Sequence, residues 1–599
     1  MSISRLVTRT SSFAAHGVLL SGLCLVFYLP GLASIPPVDR DEARFAQATR
    51  QMLATGDFVR PQFQQNDRFK KPVGIYWLQS LSAQLASRPA APAIWPYRIP
   101  SVVGGILAVL LTWYFGRLLC APAAALLGAA LLGGSLLTVT EAHLATTDAA
   151  LLACIVGAQG CLAMLYRATR RGRIGSRCHA AGFWLAQGLG FLLKGPVAPL
   201  ASGLTIVALM IVDRRAHTSA VGHRSLFKQL RPQWGVPLLL LLILPWTIAI
   251  AQASGGKFFE DWFNGDLLPK LIGGQESHGA PPGFHLLLLG ATFWPGSFAL
   301  GLTLLHGRRR RQRWAERFCL AWIVPFWIFF ELLPTKLPHY VLPTFPALAL
   351  LTGRALLSAA SRRRPSPAWL HAGLLLWFVL GIALGVATLA LPSWLQGRCS
   401  AASVIGALAL AAGAWEVWWR ASSMQWRSAA FVALTAAALW WVTSLQWVLP
   451  GLDRLWLSRM VADAIRQRRT SPLPVASIGY QEPSLVFLVG TDLSLLTADE
   501  GASFLLEHNG ALALVSEDET PAFERAARAR AVEADEIWSG EGLNYSKGRM
   551  TRLHLYRSNG AVDVASDGQA DPSLCHAREG GHPSAESGRA KPGFPLSRE

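Results

Sequence analysis

Thirteen apolar stretches, near residues 13–34, 98–119, 122–142, 147–166, 180–193, 196–212, 234–253, 284–305, 318–333, 338–358, 369–391, 402–419 and 429–449, set the class of structure this chain can adopt. Crossing a bilayer takes about twenty apolar residues. Backbone groups in hydrocarbon must be satisfied within the segment, so each stretch reads as a helix. The stretches 180–193 and 318–333 are short. If 180–212 is a re-entrant hairpin, two spans vanish together and the orientation of the rest is unchanged. Half of the residues are hydrophobic (52%), 23 are Trp and only 15% are charged, which excludes a disordered chain and fits a polytopic membrane protein. Eight Cys are scattered without a CxxC pair, as small core residues rather than metal ligands. The first apolar stretch lacks a small-residue cleavage site and reads as a retained helix.

The net charge of +19 raises nucleic acid as a partner, but its pattern argues against it. The arginines stand in short runs between apolar stretches, as cytoplasmic anchors do. Arg167 to Arg177 contains five Arg, Arg214 to Arg231 is basic, His306 to Arg317 contains six Arg, and Arg362 to Arg364, Arg420 and Arg427 complete the series. With the N-terminus in the cytoplasm, the opposite face receives 35–97, 143–147, 194–195, 254–283, 334–337 and everything after 450. The expected organisation is a membrane domain over 1–450, an extracytoplasmic α/β domain over 451–559 and a disordered tail over 560–599.

Two helices are expected to lie on the membrane within 35–97. The first carries Phe45, Thr49, Met52 and Leu53 on one face and closes at Gly56. The second follows Pro72 and aligns Ile75, Leu78, Leu81, Gln84 and Leu85. After residue 450, Leu457, Met460, Val461, Ala464 and Ile465 mark an amphipathic helix. Strands are expected at "PVASIG", "LVFLVG", "ALALVSE" and "RLHLYRS".

Charge on the extracytoplasmic face is what demands an explanation. "PPVDRDEARFAQATRQM" (36–52) packs three carboxylates and three arginines behind the first apolar helix. Lys71, Lys194 and Lys336 each stand just before a proline that can open a helix. Free N–H groups at a helix start stabilise an anion, and a neighbouring ammonium strengthens the site. Each lysine alone also reads as an interfacial residue snorkelling to water; three on one face point to a phosphate held at the membrane surface. Asp41 or Glu42 falls in the first turn of a helix, and Asp148 starts another, so both capping and chemistry are open to them. An ionised carboxylate can take a proton from an acceptor while lysines stabilise a departing phosphate. His339 and Tyr340, in "KLPHYVLPTFP", can donate to phosphate. Glu276, His278 and His285 lie in the Gly- and Pro-rich stretch 273–285, where a metal site and plain polar surface are both open readings.

The stretches "DEARFAQATRQMLATGDFVRPQF", "RFKKPVGIYWLQSL", "TTDAAL", "GLGFLLKGPVAPL", "LPW" at 244–246 and "KLPHYVLPTFPALAL" resemble, in order, those of the bacterial lipid A aminoarabinose transferases. That family sits with the protein O-mannosyltransferases in the GT-C class of membrane glycosyltransferases. The resemblance runs through roughly residues 35–350 and implies a mainly α, polytopic GT-C fold of about thirteen transmembrane helices. It also implies an inner-membrane enzyme that moves a sugar from an undecaprenyl-phosphate donor to lipid A, another envelope glycolipid or a protein at the periplasmic face, without nucleic acid. By position it makes Asp41 and Asp148 catalytic, and Arg44, Lys71, Lys194, Lys336 and Tyr340 donor-phosphate ligands. Asp39, Glu42, His278 and His339 are further candidates for substrate contact, and Asp39 shares with Asp41 the claim to be the base. The family commonly has Glu, able to help hold a divalent metal, where Lys70 stands. Its histidine motif also lacks an equivalent in "FFEDWFNGDLLPKL", so the resemblance leaves a metal requirement unassigned. The rival reading is a lipid-phosphate transporter, which should carry midplane ionisable residues and inverted repeats.

Overall fold

The computed structural model describes residues 3–86, 92–215, 223–269, 279–359, 368–468 and 474–561. All thirteen apolar stretches are helical there. Eight helices are long and apolar enough to cross a membrane, and two bent pairs bring the number to ten. The bent pairs are α5 (Pro122–Gly133) with α6 (Leu136–His143), and α13 (Phe284–Thr292) with the stretch Gly296–Arg310. The other three stretches are α1 (Ile3–Tyr28), α8 (Arg177–Lys194) and α15 (Trp314–Leu332). Helices α8 and α9 (Val197–Arg215) have 18 and 19 residues, so 180–212 is a pair of full helices rather than a short hairpin. Large apolar side chains such as Val18, Leu287, Leu376 and Phe431 stand exposed on these helices, as expected of a lipid-facing surface.

The centre of the bundle is α7 (Asp148–Arg170), which packs against α4 (Trp95–Leu119), α8 and α9. At about 1.5 Å per residue its 23 residues span roughly 34 Å, enough to separate two polar ends. At one end Asp213 accepts from Arg317 (2.5 Å), Arg170 (3.2 Å) and the Tyr166 hydroxyl (3.1 Å). At the other end lies Asp148.

Two amphipathic helices lie beside that second end: α2 (Asp41–Thr55) and α3 (Gly74–Leu85). Gly56 closes α2 at φ 74°. Helix α3 is inside out by the standards of a soluble protein. Leu78, Leu81 and Leu85 are exposed while Gln79, Ser80 and Ser82 are buried, which suits a helix lying in an interface. Gln79 accepts from Thr49 (2.7 Å) and donates to the Ala145 carbonyl (2.9 Å). A Cβ at Gly74 would lie 2.7 Å from the Leu192 carbonyl oxygen. Glycine therefore lets the start of α3 touch the end of α8, and brings the chain near Lys71 up to Lys194.

One ion pair ties the assembly together. Arg98 of α4 grips Glu42 of α2 with two 2.8 Å bonds, and both side chains are 1% exposed. Arg98 also donates to the carbonyls of Leu32, Ile35 and Pro36, while Glu42 accepts from the amides of Val38 and Ala145. Such a pair offsets its desolvation only when hydrogen bonds occupy the rest of each group, and here they do.

The C-terminal portion holds a five-stranded sheet, β3 (Val475–Ile478), β4 (Ser494–Leu496), β5 (Leu512–Ser516), β6 (Val532–Asn544) and β7 (Arg549–Ala561), after a two-residue pair β1–β2 at Gln62–Phe63 and Asn66–Asp67. The spatial order is β4-β3-β5-β7-β6, with β3 parallel to β4 and β5, and β7 antiparallel to both neighbours. The expected strand at "LVFLVG" is instead a helix, Pro483–Val489, with Pro483 at its first position. Its unbroken apolar run has no period-2 alternation. It is buried on all sides because it fills the space between α2 and the amphipathic helix Leu457–Arg468. Arg50 donates to its Phe487 carbonyl (3.0 Å), and Tyr97 meets the Phe487 ring edge-on at 5.7 Å.

Removing one member of a buried pair leaves an uncompensated charge, at about 3–5 kcal/mol. Arg98→Met should therefore lower the thermal midpoint of detergent-solubilised protein strongly, and adding Glu42→Leu should recover part of the loss. A single variant that melts like the native chain would contradict this role.

Candidate functional site

The site begins at a bend. Arg40, just before α2, holds φ 69° and ψ −117°, a conformation that costs a side-chain-bearing residue about 1–3 kcal/mol. The bend sends its neighbours in opposite directions. Asp39 accepts from the Ser484 amide (3.1 Å), and its own amide donates to the Tyr545 hydroxyl (2.8 Å), so it faces the C-terminal domain. Asp41 faces the membrane domain.

Asp41 stands on the wall of a recess: protein surrounds it, yet 67% of its side chain is accessible. Burial pushes its carboxyl up, but Arg68, Lys71, Arg44 and Lys194 more than offset this and hold it below the ordinary carboxylate range. Arg68 is 3.5 Å from the carboxylate and its guanidinium sits 5.0 Å over the Phe45 ring. Asp41 is thus ionised and open to a ligand.

Next to it, Lys194 at the end of α8 bonds Asp148, first residue of α7, at 2.6 Å. The Thr147 hydroxyl adds a 3.3 Å bond to the other Asp148 oxygen. Glu141, near the end of α6, is buried; it accepts from Thr146 (3.3 Å) and lies 3.6 Å from His339 Nδ1. His339 and Tyr340 stand in the 3-10 turn Pro338–Thr344, their rings edge-on at 5.2 Å. Asp148, Lys194, Asp41 and Lys71 all act electrostatically on His339, and Tyr340 acts on Lys194. Asp41, Arg44, Lys71, Asp148, Lys194, His339 and Tyr340 therefore share one neighbourhood, built from five separate stretches of chain.

Three residues singled out in the sequence lie elsewhere. Glu42 is one residue from Asp41, but its carboxylate is enclosed by Arg98 and two amides and reaches no ligand. Asp39 is turned to the C-terminal domain. Lys336 is 4% exposed and donates to the Leu333 carbonyl, and its described neighbour is His285 rather than the Asp41 group. Its proline opens a 3-10 turn, which turns the chain before the ammonium can join the other two lysines. His278 and Glu276 lie outside the described residues. Arg68 and Glu141 belong to the site and were not selected from sequence. A lone carboxylate within an apolar stretch was the available signal for Glu141.

Among the described residues no group of three or more His, Cys, Asp or Glu is disposed to hold a metal ion.

Residues 70–248 match the family model described as dolichyl-phosphate-mannose-protein mannosyltransferase. A relative from Pseudomonas paraeruginosa, named undecaprenyl phosphate-alpha-4-amino-4-deoxy-L-arabinose arabinosyl transferase, is 31% identical over 383 residues, 62% of this chain and 64% of its own. One of the same name from Erwinia tasmaniensis is 28% identical over 71% of this chain and 76% of its own. The chain spans about three-fifths of the length of the first curated relatives it matches. Among solved structures, ArnT from Cupriavidus metallidurans bound to undecaprenyl phosphate superposes with a TM-score of 0.70 at 20% identity, covering 92% of this chain and 99% of that one. Fold and span pattern thus define a multi-pass membrane protein with the fold of that solved structure. Its sequence is similar to that of the arabinosyl transferases, and residues 70–248 resemble the mannosyltransferase family model.

The bend at Arg40 has a measurable consequence. Burial raises the Asp39 carboxyl from 3.8 to about 6, and Glu482 adds to this, against the bonds from Ser484 and Tyr545. A raised carboxyl favours folding fully below its unfolded value, and that contribution is lost as pH rises through about 6. Between about pH 4 and about pH 7 the native protein should lose on the order of 3 kcal/mol that Asp39→Asn keeps. Thermal midpoints of the two across that range are the measurement; parallel curves would contradict the assignment.

Proposed function

We propose that this chain is a glycosyltransferase of the bacterial inner membrane, with its N-terminus cytoplasmic and the site on the periplasmic face. It moves a sugar from an undecaprenyl-phosphate donor to lipid A or another envelope acceptor. The observation that carries the proposal is Asp41, ionised and accessible amid Arg44, Arg68, Lys71 and Lys194. Among the described residues four cations act on Asp41 while Asp148 engages only Lys194; such a setting suits an anion from outside the chain, and a phosphate diester fits it. The relatives' names support the same donor class. The arginine network at the far end of α7 supports the orientation by the positive-inside rule.

In this mechanism Lys71, Lys194 and Arg44 hold the donor phosphate, and Tyr340 donates to it from the 3-10 turn. Asp41 orients the acceptor. Its cationic surroundings make it a weak base in the free enzyme, so it takes the acceptor proton only as the new bond to the anomeric carbon forms. The phosphate departs on the opposite face, with inversion. Asp148 fixes Lys194 at 2.6 Å and so sets where the phosphate lies.

The test is release of undecaprenyl phosphate from a panel of undecaprenyl-phosphate sugars, with envelope lipid as acceptor. Asp41→Asn should reduce turnover by about 10²–10⁴-fold, the usual worth of a general base, with donor affinity kept. Lys71→Ala should chiefly weaken donor use. Equal release by the native chain and Asp41→Asn would overturn the mechanism. Vectorial movement of intact lipid phosphate without sugar transfer would favour the transporter reading.

A further inference from the structure

A second concavity lies in the C-terminal portion, between the amphipathic helix Leu457–Arg468 and β6. Its volume is about 280 Å³, close to the lower end of small-ligand sites, about 300–1,000 Å³. Trp456 and Trp538 stand in its walls, with Asp453, Arg459, Asp463 and Arg468 around them. Each wall is held in place. Trp456 is buried, and its indole N–H donates to the Leu449 carbonyl (2.7 Å). Trp538 follows a shift in the β6–β7 register, and such irregularities re-aim a side chain. Its ring lies over Gly540, where a Cβ would come within 2.5 Å of it, so glycine there gives the ring a flat seat on the strand. Arg468 stitches the helix to the strand by donating to the Ile537 carbonyl (3.3 Å).

The cleft lies where the C-terminal portion meets the membrane domain. Gln396, last residue of the apolar helix Ala368–Gln396, donates to the Gly451 carbonyl, and the turn Asp453–Leu455 packs on that helix. Trp394, on its final turn, is 64% exposed, as an aromatic at a bilayer surface is. The cleft is therefore at headgroup level. On its other side, Trp456 meets Tyr545 edge-on at 6.2 Å, and the Tyr545 hydroxyl accepts from the Asp39 amide. Trp456 and Arg459 also line a smaller gap that reaches Pro36 and Asp39. One wall of the cleft is thus continuous with the bend that sets Asp41.

We propose, resting on the transferase reading, that the cleft is a saccharide subsite: it holds a sugar ring of the lipid-linked acceptor while the reacting group of the same molecule lies at Asp41. A pyranose ring has an apolar face of C–H groups and a rim of hydroxyls. Indole plates cover the face, while carboxylates accept from the rim and guanidinium groups donate to it. The charges decide against two other small ligands. Two carboxylates and two guanidinium groups line the cleft, so a phosphate gains less here than among the cations at Asp41. An acyl chain would cover these groups and offer them nothing to bond. Neither objection applies to a ring of hydroxyls.

The full chain in detergent micelles is titrated with lipid A and, separately, with phosphatidic acid, which has acyl chains and a phosphate but no sugar. Native mass spectrometry counts the bound lipid. The native chain should hold lipid A more tightly than phosphatidic acid. Trp538→Ala should lose about two- to tenfold in lipid A affinity, the usual worth of one aromatic contact, with phosphatidic acid unaffected. Trp538→Phe keeps a plate over Gly540 and should keep most of the affinity. A merely structural Trp538 would weaken both lipids together and lower the thermal midpoint of Trp538→Ala. That result, lipid A held no more tightly than phosphatidic acid, or lipid A affinity untouched in Trp538→Ala overturns the subsite. Release of undecaprenyl phosphate in the panel assay reads the transferase separately. Selective lipid A binding that Trp538→Ala reduces, with no release from any donor, removes the transferase and leaves the sugar site. Release with lipid A affinity untouched in Trp538→Ala does the reverse.

Discussion

Everything at the site hangs from the Glu42–Arg98 pair. One guanidinium holds a helix that lies on the membrane, the loop leading to it and a helix that crosses it. Through the Ala145 amide, the Glu42 carboxylate also fixes the turn that leads into α7. Asp41 and Asp148 are on opposite sides of this clamp, one residue and three residues from its contacts. A group held within fractions of an ångström is what electrostatic chemistry needs. A fully bonded, buried ion pair supplies that rigidity, where a solvated one would not.

From the clamp outward, charge is arranged by alternation. Asp148 neutralises Lys194, and Arg68 partly neutralises Asp41, yet Lys71 and Arg44 bear on the same carboxylate. Among the described residues the recess holds more positive than negative charge, an arrangement that suits water or an anion beside it. The strained Arg40 bend completes it. It puts Asp39 under the C-terminal domain and Asp41 in the recess, so two aspartates separated by one residue end in unrelated environments.

Much of this was legible in the chain. Apolar length marked every spanning segment, because the bilayer imposes a length that no packing detail can override. "DEARF", "KKP" and "LLKGP" led to Asp41, Arg44, Lys71 and Lys194, which the fold brings together. What could not be read depended on three-dimensional partners. "LVFLVG" has a strand's composition, but its neighbours on both sides made it a helix. Glu42 looked as reactive as Asp41 until Arg98, 56 residues on, claimed it. Lys336 shared the Lys-before-Pro pattern of the other two and turned away. Arg68 and Glu141 acquire their roles only when α2, α6 and the 3-10 turn converge.

The central claim is that the Asp41 recess seats a lipid-linked phosphate. The most direct measurement is a structure of this chain with undecaprenyl phosphate bound in nanodiscs. The account predicts phosphate density within about 4 Å of the Lys71 and Lys194 ammonium groups, with the prenyl chain running out along the lipid-facing side of α3. Phosphate density elsewhere, for example in the cleft between Trp456 and Trp538 of the C-terminal portion, with the recess filled only by water, would contradict it.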